Sequence, residues 1–158
     1  MSESEEHVIG VIADTHGLLR PEAIEALQGV SLILHAGDVG KPEILTRLRE
    51  VAPVKVVRGN VDKGEWAQQL PLTEVVEVGG VYFYMLHILE NLDLDPVAAG
   101  FRVVIFGHSH KPLMEEKKGV IYLNPGSAGP RRFKLPVSLA LVKIRGEEVE
   151  VEGLELAV

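Results

Sequence analysis

The chain has 158 residues, of which 46% are hydrophobic and 25% are charged. This size and balance are typical of a globular protein, so we expect a single domain over residues 1–158. The net charge of −7 lacks the basic footprint of proteins that coat nucleic acids, so we expect no strong nucleic-acid surface. The absence of cysteine excludes disulfides, thiolate metal sites and cysteine nucleophiles.

The first half of the chain alternates short apolar runs with amphipathic stretches. The runs at residues 8–13, 32–36 and 54–57 predict strands that are buried on both faces, as in a parallel sheet. Residues 21–28 and 42–50 each begin with proline and carry apolar side chains at helical spacing, which predicts two helices. This strand–helix order implies a parallel sheet with right-handed crossovers.

The second half of the chain is richer in hairpins. Gly79 and Gly80 separate two apolar runs and predict a tight two-residue turn. Arg145 and Gly146 predict a second turn close to the end of the chain. Together the two halves predict an α/β domain in which two sheets pack together with helices outside. The elements expected here are strands at 75–78, 81–86, 102–106, 120–123, 139–144 and 148–152 and a short helix at 96–99.

Two stretches of the chain were compared with secretory signals and membrane spans to predict the cellular compartment. Residues 1–6 are acidic and polar, unlike the basic start and apolar stretch of a secretory signal. The uncharged stretch around residues 78–88 is interrupted by glycines and is too short to span a bilayer. We therefore expect a cytoplasmic protein with no membrane association.

Side chains that can bind metal ions follow five of the expected strands. In an extended chain, residues two apart project to the same side, so Asp14 and His16 converge after the first strand. His108 and His110 have the same spacing, and histidine is not selected as a turn former. The carboxyl edge of the strands is where sites form in α/β sheets. The candidate ligands are Asp14, His16, Asp38, Asn60, His87, His108 and His110.

Several of these residues have ordinary structural explanations when each is taken alone. Asp14 could cap the next helix, and Asp38 and Asn60 lie in glycine-containing turns where such residues are common. A single histidine on an apolar strand, such as His87, is more often a core residue, and we assign His35 a packing or supporting role. Their combination at five strand ends favours a site for two metals that share one carboxylate.

In this order the motifs resemble the signature blocks of the calcineurin-like metallophosphoesterases. The resemblance runs from residue 8 to about residue 141, and the short chain is similar to the small bacterial and archaeal phosphodiesterase branch. It implies a four-layer α-β-β-α sandwich in which two mixed β-sheets are flanked by helices. The blocks are Asp14-x-His16, Gly37-Asp38, Gly59-Asn60-x-Asp62, His87, Gly107-His108-x-His110 and Asn124-Pro125-Gly126-Ser127.

The resemblance also implies two divalent metal ions per chain, manganese first, with iron, nickel or zinc as alternatives. One ion would be held by Asp14, His16, Asp38 and His110, and the other by Asp38, Asn60, His87 and His108. A bridging hydroxide would then attack the phosphorus of a small phosphodiester. A homodimer or higher homo-oligomer is also implied. The residues expected to be catalytic are Asp14, His16, Asp38, Asn60, Asp62 and His108.

Two positions depart from the pattern of this family. Relatives often have a histidine inside the Gly-Asn-x-Asp block, where it can protonate the leaving oxygen. Here Val61 occupies that position and cannot donate a proton. Many relatives also have glycine after the histidine of the fifth strand, whereas Ile88 follows His87 here. We expect effects on leaving-group departure and on the wall of the cleft.

Other functions remain open at this stage. A protein-binding scaffold similar to the retromer subunit of this fold is the main alternative, but a retired site should have lost some ligands. A nuclease for long nucleic acids is disfavoured by the net charge. Arg131, Arg132 and Lys134 form either a solvated basic loop or a contact to phosphate.

Overall fold

Two five-stranded mixed β-sheets form the centre of the protein, seen in a computed structural model that describes residues 5–158. In the first sheet the strand order is β10-β9-β1-β2-β3, and in the second it is β4-β5-β6-β8-β7. Residues 1–4, which contain one of the three glutamates of the acidic start, lie outside the described residues. The strands are β1 (Glu6–Ile12), β2 (Leu32–His35), β3 (Val54–Val56), β4 (Thr73–Val78), β5 (Val81–Leu86), β6 (Val103–Ile105), β7 (Leu113–Lys117), β8 (Val120–Asn124), β9 (Ser138–Arg145) and β10 (Glu148–Glu155).

The first sheet confirms the parallel arrangement predicted for the first half of the chain. Strand β1 pairs in parallel with β2, and β2 pairs in parallel with β3. The crossovers contain α1 (Pro21–Ala26) and α2 (Pro42–Arg49), each with its proline in the first turn, where the missing N–H costs nothing. Strand β9 adds antiparallel to the other side of β1, and β10 pairs with β9 through the predicted turn.

The second sheet begins with the predicted hairpin. Strands β4 and β5 pair antiparallel around Gly79 and Gly80, both of which have positive φ angles. Strands β5, β6 and β8 are mutually parallel, so β5 and β6 end at the same edge of the sheet. Short helices α3 (Glu65–Gln68) and α4 (Pro96–Ala99) and a 3₁₀ helix at Leu89–Asn91 lie in the connections.

Three elements were not expected from the sequence: α3, β7 and the 3₁₀ helix at Leu89–Asn91. All five residues of β7 are exposed, and three of them are charged, so the run lacks the alternation of a half-buried strand. It is the edge strand of the second sheet and is held by antiparallel pairing with β8. Charged side chains on such an edge discourage pairing with other chains.

Apolar side chains from the facing surfaces of both sheets make one continuous core. Ile9 and Val11 of the first sheet belong to the same buried cluster as Phe83 and Ile105 of the second. A separate cluster packs α1 and α2 on the outer face of the first sheet, and a third lies on the outer face of the second sheet. The predicted four-layer sandwich is therefore confirmed. Within residues 5–158, no helix has the length and apolar character needed to cross a membrane.

Replacement of Phe83 by alanine tests the shared core. Its side chain is fully buried between the sheets, so Phe83→Ala should lower the free energy of unfolding by about 3–5 kcal/mol. Phe133→Ala is the matched control, because that ring is 89% exposed and its loss should change stability by no more than about 0.5 kcal/mol. Urea denaturation of both variants measures the difference, and equal effects would contradict a core shared by the sheets.

Candidate metal centre

The ends of five strands bring the predicted ligands together at one edge of the sandwich. Strands β1, β2 and β3 of the first sheet and β5 and β6 of the second each run into one of the motifs. Two compact groups result, and the candidate donor atoms of each lie within 4.8 Å of one another. The first group contains Asp14, His16 and His110, and the second contains Asp38, His87 and His108.

The donor atoms of the first group have the spacing that a bound cation needs. The Asp14 Oδ1 atom lies 3.8 Å from Nε2 of His16 and 3.8 Å from Nε2 of His110. The two histidine Nε2 atoms are 3.3 Å apart. Donors about 2.1 Å from one metal ion are themselves separated by roughly 3.0–3.5 Å. Only small movements would therefore complete the coordination.

Asp38 lies between the two groups. Its Oδ2 atom is 3.1 Å from Nε2 of His87 in the second group and 3.6 Å from Nε2 of His16 in the first. Its other oxygen, Oδ1, accepts a hydrogen bond of 3.0 Å from the N–H of Val61, which fixes the orientation of the carboxylate. Asn60 adds its Oδ1 atom 3.1 Å from Nδ1 of His108, beside the second group. One oxygen of Asp38 can thus serve both groups.

Buried polar atoms without hydrogen-bond partners fit the binding of a cation in each group. Nδ1 of His87 donates to the carbonyl oxygen of Ala36 over 2.8 Å, so Nε2 is the ring nitrogen that faces the carboxylates of Asp38 and Asp14. That Nε2 atom is buried and has no hydrogen-bond partner among residues 5–158, and the same is true of Oδ1 of Asp14. A buried acceptor without a donor is costly, so these residues fit divalent metal ions.

The backbone at the site is strained in the same residues. Asp14, His16, Asp38, His108 and His110 all have φ angles between 46° and 75°, in the left-handed region that side chains with a Cβ rarely adopt. Each such residue costs on the order of 1–3 kcal/mol, and strain of this kind concentrates at functional sites. The sequence analysis expected these side chains to converge because they follow the ends of extended strands. They do converge, but the backbone that carries them is left-handed and not extended.

Gly59 and Asp62 hold the third strand end against Asp38. A Cβ on Gly59 would lie within 2.1 Å of the backbone nitrogen of Asp38, so only glycine permits this approach. The carboxylate of Asp62 accepts hydrogen bonds from the N–H groups of Val39, Gly40 and Gly59. Asp62, which is expected among the catalytic residues, thus links the loops that follow β2 and β3 through backbone contacts.

Burial and charge set the pKa values of the two carboxyl groups in opposite directions. Burial, reinforced by repulsion from Asp38, raises the pKa of Asp14 to about 7. Burial also acts to raise the pKa of Asp38. The contact with His87 and the Val61 N–H outweigh it, so the pKa lies below its usual value. Burial acts to lower the pKa of His87, but Asp38 outweighs it and leaves that pKa raised.

Partial or full burial holds three other histidines neutral. Burial lowers the pKa of His110 to about 4, and it also lowers the pKa of His16, so both keep a lone pair for a cation. Burial lowers the pKa of His35 to about 3. His35 accepts from the N–H of Gly37, and its other ring nitrogen lies 3.0 Å from the hydroxyl of Thr15, which agrees with the supporting role expected for it.

The two arginines of the basic loop after β8 have different contacts. The positive charge of Arg132 acts on the pKa values of Asp14, His16 and His110, so its side chain lies within electrostatic reach of the first group. Arg131 instead donates to the carbonyl oxygens of Leu135 and Val158. The sequence could not predict that the two arginines have different surroundings, because these depend on how the loop folds.

Histidine and carboxylate donors arranged around a shared oxygen form the kind of site that binds two divalent cations in hydrolases. Residues 8–147 match the calcineurin-like phosphoesterase superfamily domain, and the chain belongs to this family of phosphoester hydrolases. A probable metallophosphoesterase of Methanothermobacter thermautotrophicus is 36% identical over 157 residues, with 92% of this chain and 90% of the relative covered. A phosphodiesterase of Methanocaldococcus jannaschii is 27% identical, with 75% of this chain and 82% of the relative covered.

Solved structures share the same architecture. Vps29 of Chaetomium thermophilum superposes with a TM-score of 0.77 at 23% identity, covering 94% of this chain and 97% of that protein. A structure described as a novel archaeal phosphodiesterase gives a TM-score of 0.73 at 23% identity, covering 93% of this chain and 99% of that protein. At this level of identity the likeness shows the fold alone.

Replacement of Asp14 by asparagine should stabilise the metal-free protein. Because the pKa of Asp14 is about 7 in the folded protein and the ordinary value is 3.8, folding loses stability as the pH rises between these values. The loss corresponds to about 4 kcal/mol at pH 8 and less than half of that at pH 5. Asp14→Asn removes this titration while keeping an oxygen for the N–H of His108.

Chemical denaturation in the presence of a chelator measures this effect. Asp14→Asn should unfold at higher denaturant concentration than the parent at pH 8, and the gap should narrow toward pH 5. Asp93→Asn, at an exposed position, is the control and should show no such gap. A stability gain that is absent at pH 8, or that grows toward acid, would contradict the raised pKa.

Proposed function

We propose that the protein is a metal-dependent phosphodiesterase with a dinuclear centre. The observation that carries this proposal is the position of Asp38 Oδ2, which lies within 3.6 Å of a histidine nitrogen from each of the two donor groups. The phosphodiesterase named among the relatives supports this specificity. The family supports hydrolysis of a phosphoester in general.

Seven residues would hold the two cations. Two divalent cations at this centre would acidify a water molecule and withdraw charge from the phosphoryl oxygens. Asp38 would be shared, because its second oxygen is already committed to the Val61 N–H. The first cation would be held by Asp14, His16, Asp38 and His110, and the second by Asp38, Asn60, His87 and His108.

The remaining side chains at the centre orient the substrate and the ligands. Arg132 contributes a positive charge near the first group and would bind an oxygen of the phosphoryl group. Asp62 keeps the loops that carry Asp38 and Asn60 in register through its three backbone contacts. Val61 is 43% exposed and offers no proton, so the leaving oxygen departs without an acid at this position.

A protein-binding scaffold on the same fold is less well supported. The fold likeness to Vps29 fits such a function, but it does not account for the features of this site. All seven predicted donors are present, and five of them keep a costly left-handed backbone. A surface that bound only proteins would gain nothing from unpaired buried acceptors.

The choice of manganese, the compartment and the oligomeric state stay predictions from the sequence. The centre contains imidazole, carboxylate and amide donors, a set that suits manganese and also admits iron, nickel or zinc. Metal analysis of the protein as purified from its natural source tests the first point. Cell fractionation and light scattering test the expected cytoplasmic location and the homo-oligomer.

Metal content tests the shared carboxylate. The parent protein should bind two divalent ions per chain at neutral pH, because the donors form two groups. Asp38→Ala should lower the affinity of both ions, whereas Asn60→Ala should weaken only the second. Equilibrium dialysis against manganese, followed by elemental analysis, gives the stoichiometry, with Asp93→Asn as the control. One ion in the parent, or full loading of Asp38→Ala, would refute the dinuclear assignment.

Substrate preference tests the reaction. We expect the manganese-loaded protein to have a higher kcat/KM for bis(4-nitrophenyl) phosphate than for 4-nitrophenyl phosphate, because the additional anionic oxygen of the monoester would need a further cation beyond the two metal ions and Arg132. A positioned acid contributes about 10²–10⁴-fold for difficult leaving groups. Val61→His should therefore improve the hydrolysis of diesters with poor leaving groups more than that of nitrophenyl esters. Equal or faster turnover of the monoester would refute the diesterase assignment.

A further inference from the structure

A cavity adjoins the second donor group, and no residue of the first group belongs to its lining. Its volume is about 330 Å³, at the lower end of the range for ligand pockets. Asn60 and His87 belong to its lining, so the cavity opens beside atoms that we assign to the second cation. A group attached to a phosphate at the centre would enter this space.

Arg58 contributes an unpaired positive charge to this cavity. Its backbone N–H donates to the carbonyl oxygen of Pro71 over 2.7 Å, which fixes the start of the side chain. The side chain makes no ion pair or hydrogen bond with residues 5–158, and its Nε–H is buried without a partner. Arginine at such a position matches a carboxylate or phosphate group.

The other walls of the cavity are largely apolar. Leu86 and Ile88 lie at the end of β5 and just after it, and Leu72 is 63% exposed on the opposite loop. An apolar wall next to an unpaired guanidinium suits a flat apolar group with an anionic end.

We propose that this cavity binds one ester substituent of the substrate, an aromatic-sized group that carries a carboxylate or phosphate paired with Arg58. The proposal rests on the proposed phosphodiesterase function, since it concerns the same centre. Arg58 is then a specificity-determining residue. Leu72, Leu86 and Ile88 contact the apolar body of the substituent.

Binding to the metal-free protein tests the cavity without the reaction. The probes are 4-hydroxybenzoate, 4-hydroxyphenylphosphonate and phenol, with affinities measured by amide NMR titration in the presence of a chelator. Hydrogen bonds to charged groups favour a factor of about ten or more, so each anion should bind at least that much more tightly than phenol. The tighter of the two anions identifies the source of the charge, and equal affinity of all three probes would overturn the proposal.

Variants at the cavity assign the effect to Arg58. Arg58→Met should remove the advantage of both anions, and Arg58→Lys should restore part of it because the charge remains without the planar fork. Arg49→Met, at an exposed position on α2, is the matched control and should keep the parent affinities. If Arg58→Met does not fold, Leu72→Glu decides, because its negative charge at an exposed wall should weaken both anions. Unchanged affinities in the folded variants would overturn the proposal.

Kinetics with the metal-loaded protein separate this proposal from the proposed function. The substrates are diphenyl phosphate and bis(4-carboxyphenyl) phosphate. The preference is the kcat/KM for bis(4-carboxyphenyl) phosphate divided by that for diphenyl phosphate. Arg58→Met should lower this ratio about tenfold or more, through a change in KM and not in kcat. If neither diester is hydrolysed but anions still bind through Arg58, the phosphodiesterase assignment fails and the cavity stands. If both are hydrolysed and Arg58→Met keeps the parent preference, the cavity proposal fails.

Discussion

The confinement of two carboxylates in a buried space is the constraint on which the rest of the site depends. Asp14 and Asp38 are almost fully buried, and their mutual repulsion contributes to the raised pKa of Asp14. Around them, His16 and His110 have lowered pKa values and offer lone pairs more than charges. The metal-free protein therefore stores unfavourable free energy that two bound cations would release, so metal binding and folding stability are coupled.

The two-sheet architecture delivers these groups from distant parts of the sequence. Parallel pairing brings the ends of β1, β2 and β3 to one edge, and the second sheet contributes the ends of β5 and β6. Left-handed backbone at Asp14 and Asp38 then turns each carboxylate inward. Glycine at position 59 permits the close approach of the third strand end. The core between the sheets holds this arrangement against its own strain.

Many elements of the fold and most of the donors could be predicted, because their signals lie in short stretches of adjacent residues. Apolar runs bounded by proline and glycine indicated β1 to β3 and the hairpin around Gly79, and the donors followed directly. Long-range features could not be predicted: the charged run of β7 becomes a strand only through pairing with β8, and Asp62 acts through backbone groups of another loop. Likewise, the roles of Arg58 and Arg132 could not be predicted, because they depend on the cavity and the histidine that each arginine faces in the folded protein.

A dinuclear centre built on one shared oxygen is the central claim of this account. Anomalous diffraction from crystals of the manganese-loaded protein tests it most directly, because each bound ion gives its own peak. The account predicts two peaks per chain, one on the side of Asp14 and one on the side of His87, with Asp38 Oδ2 between them. A single peak, or two peaks of which only one contacts Asp38, would contradict it.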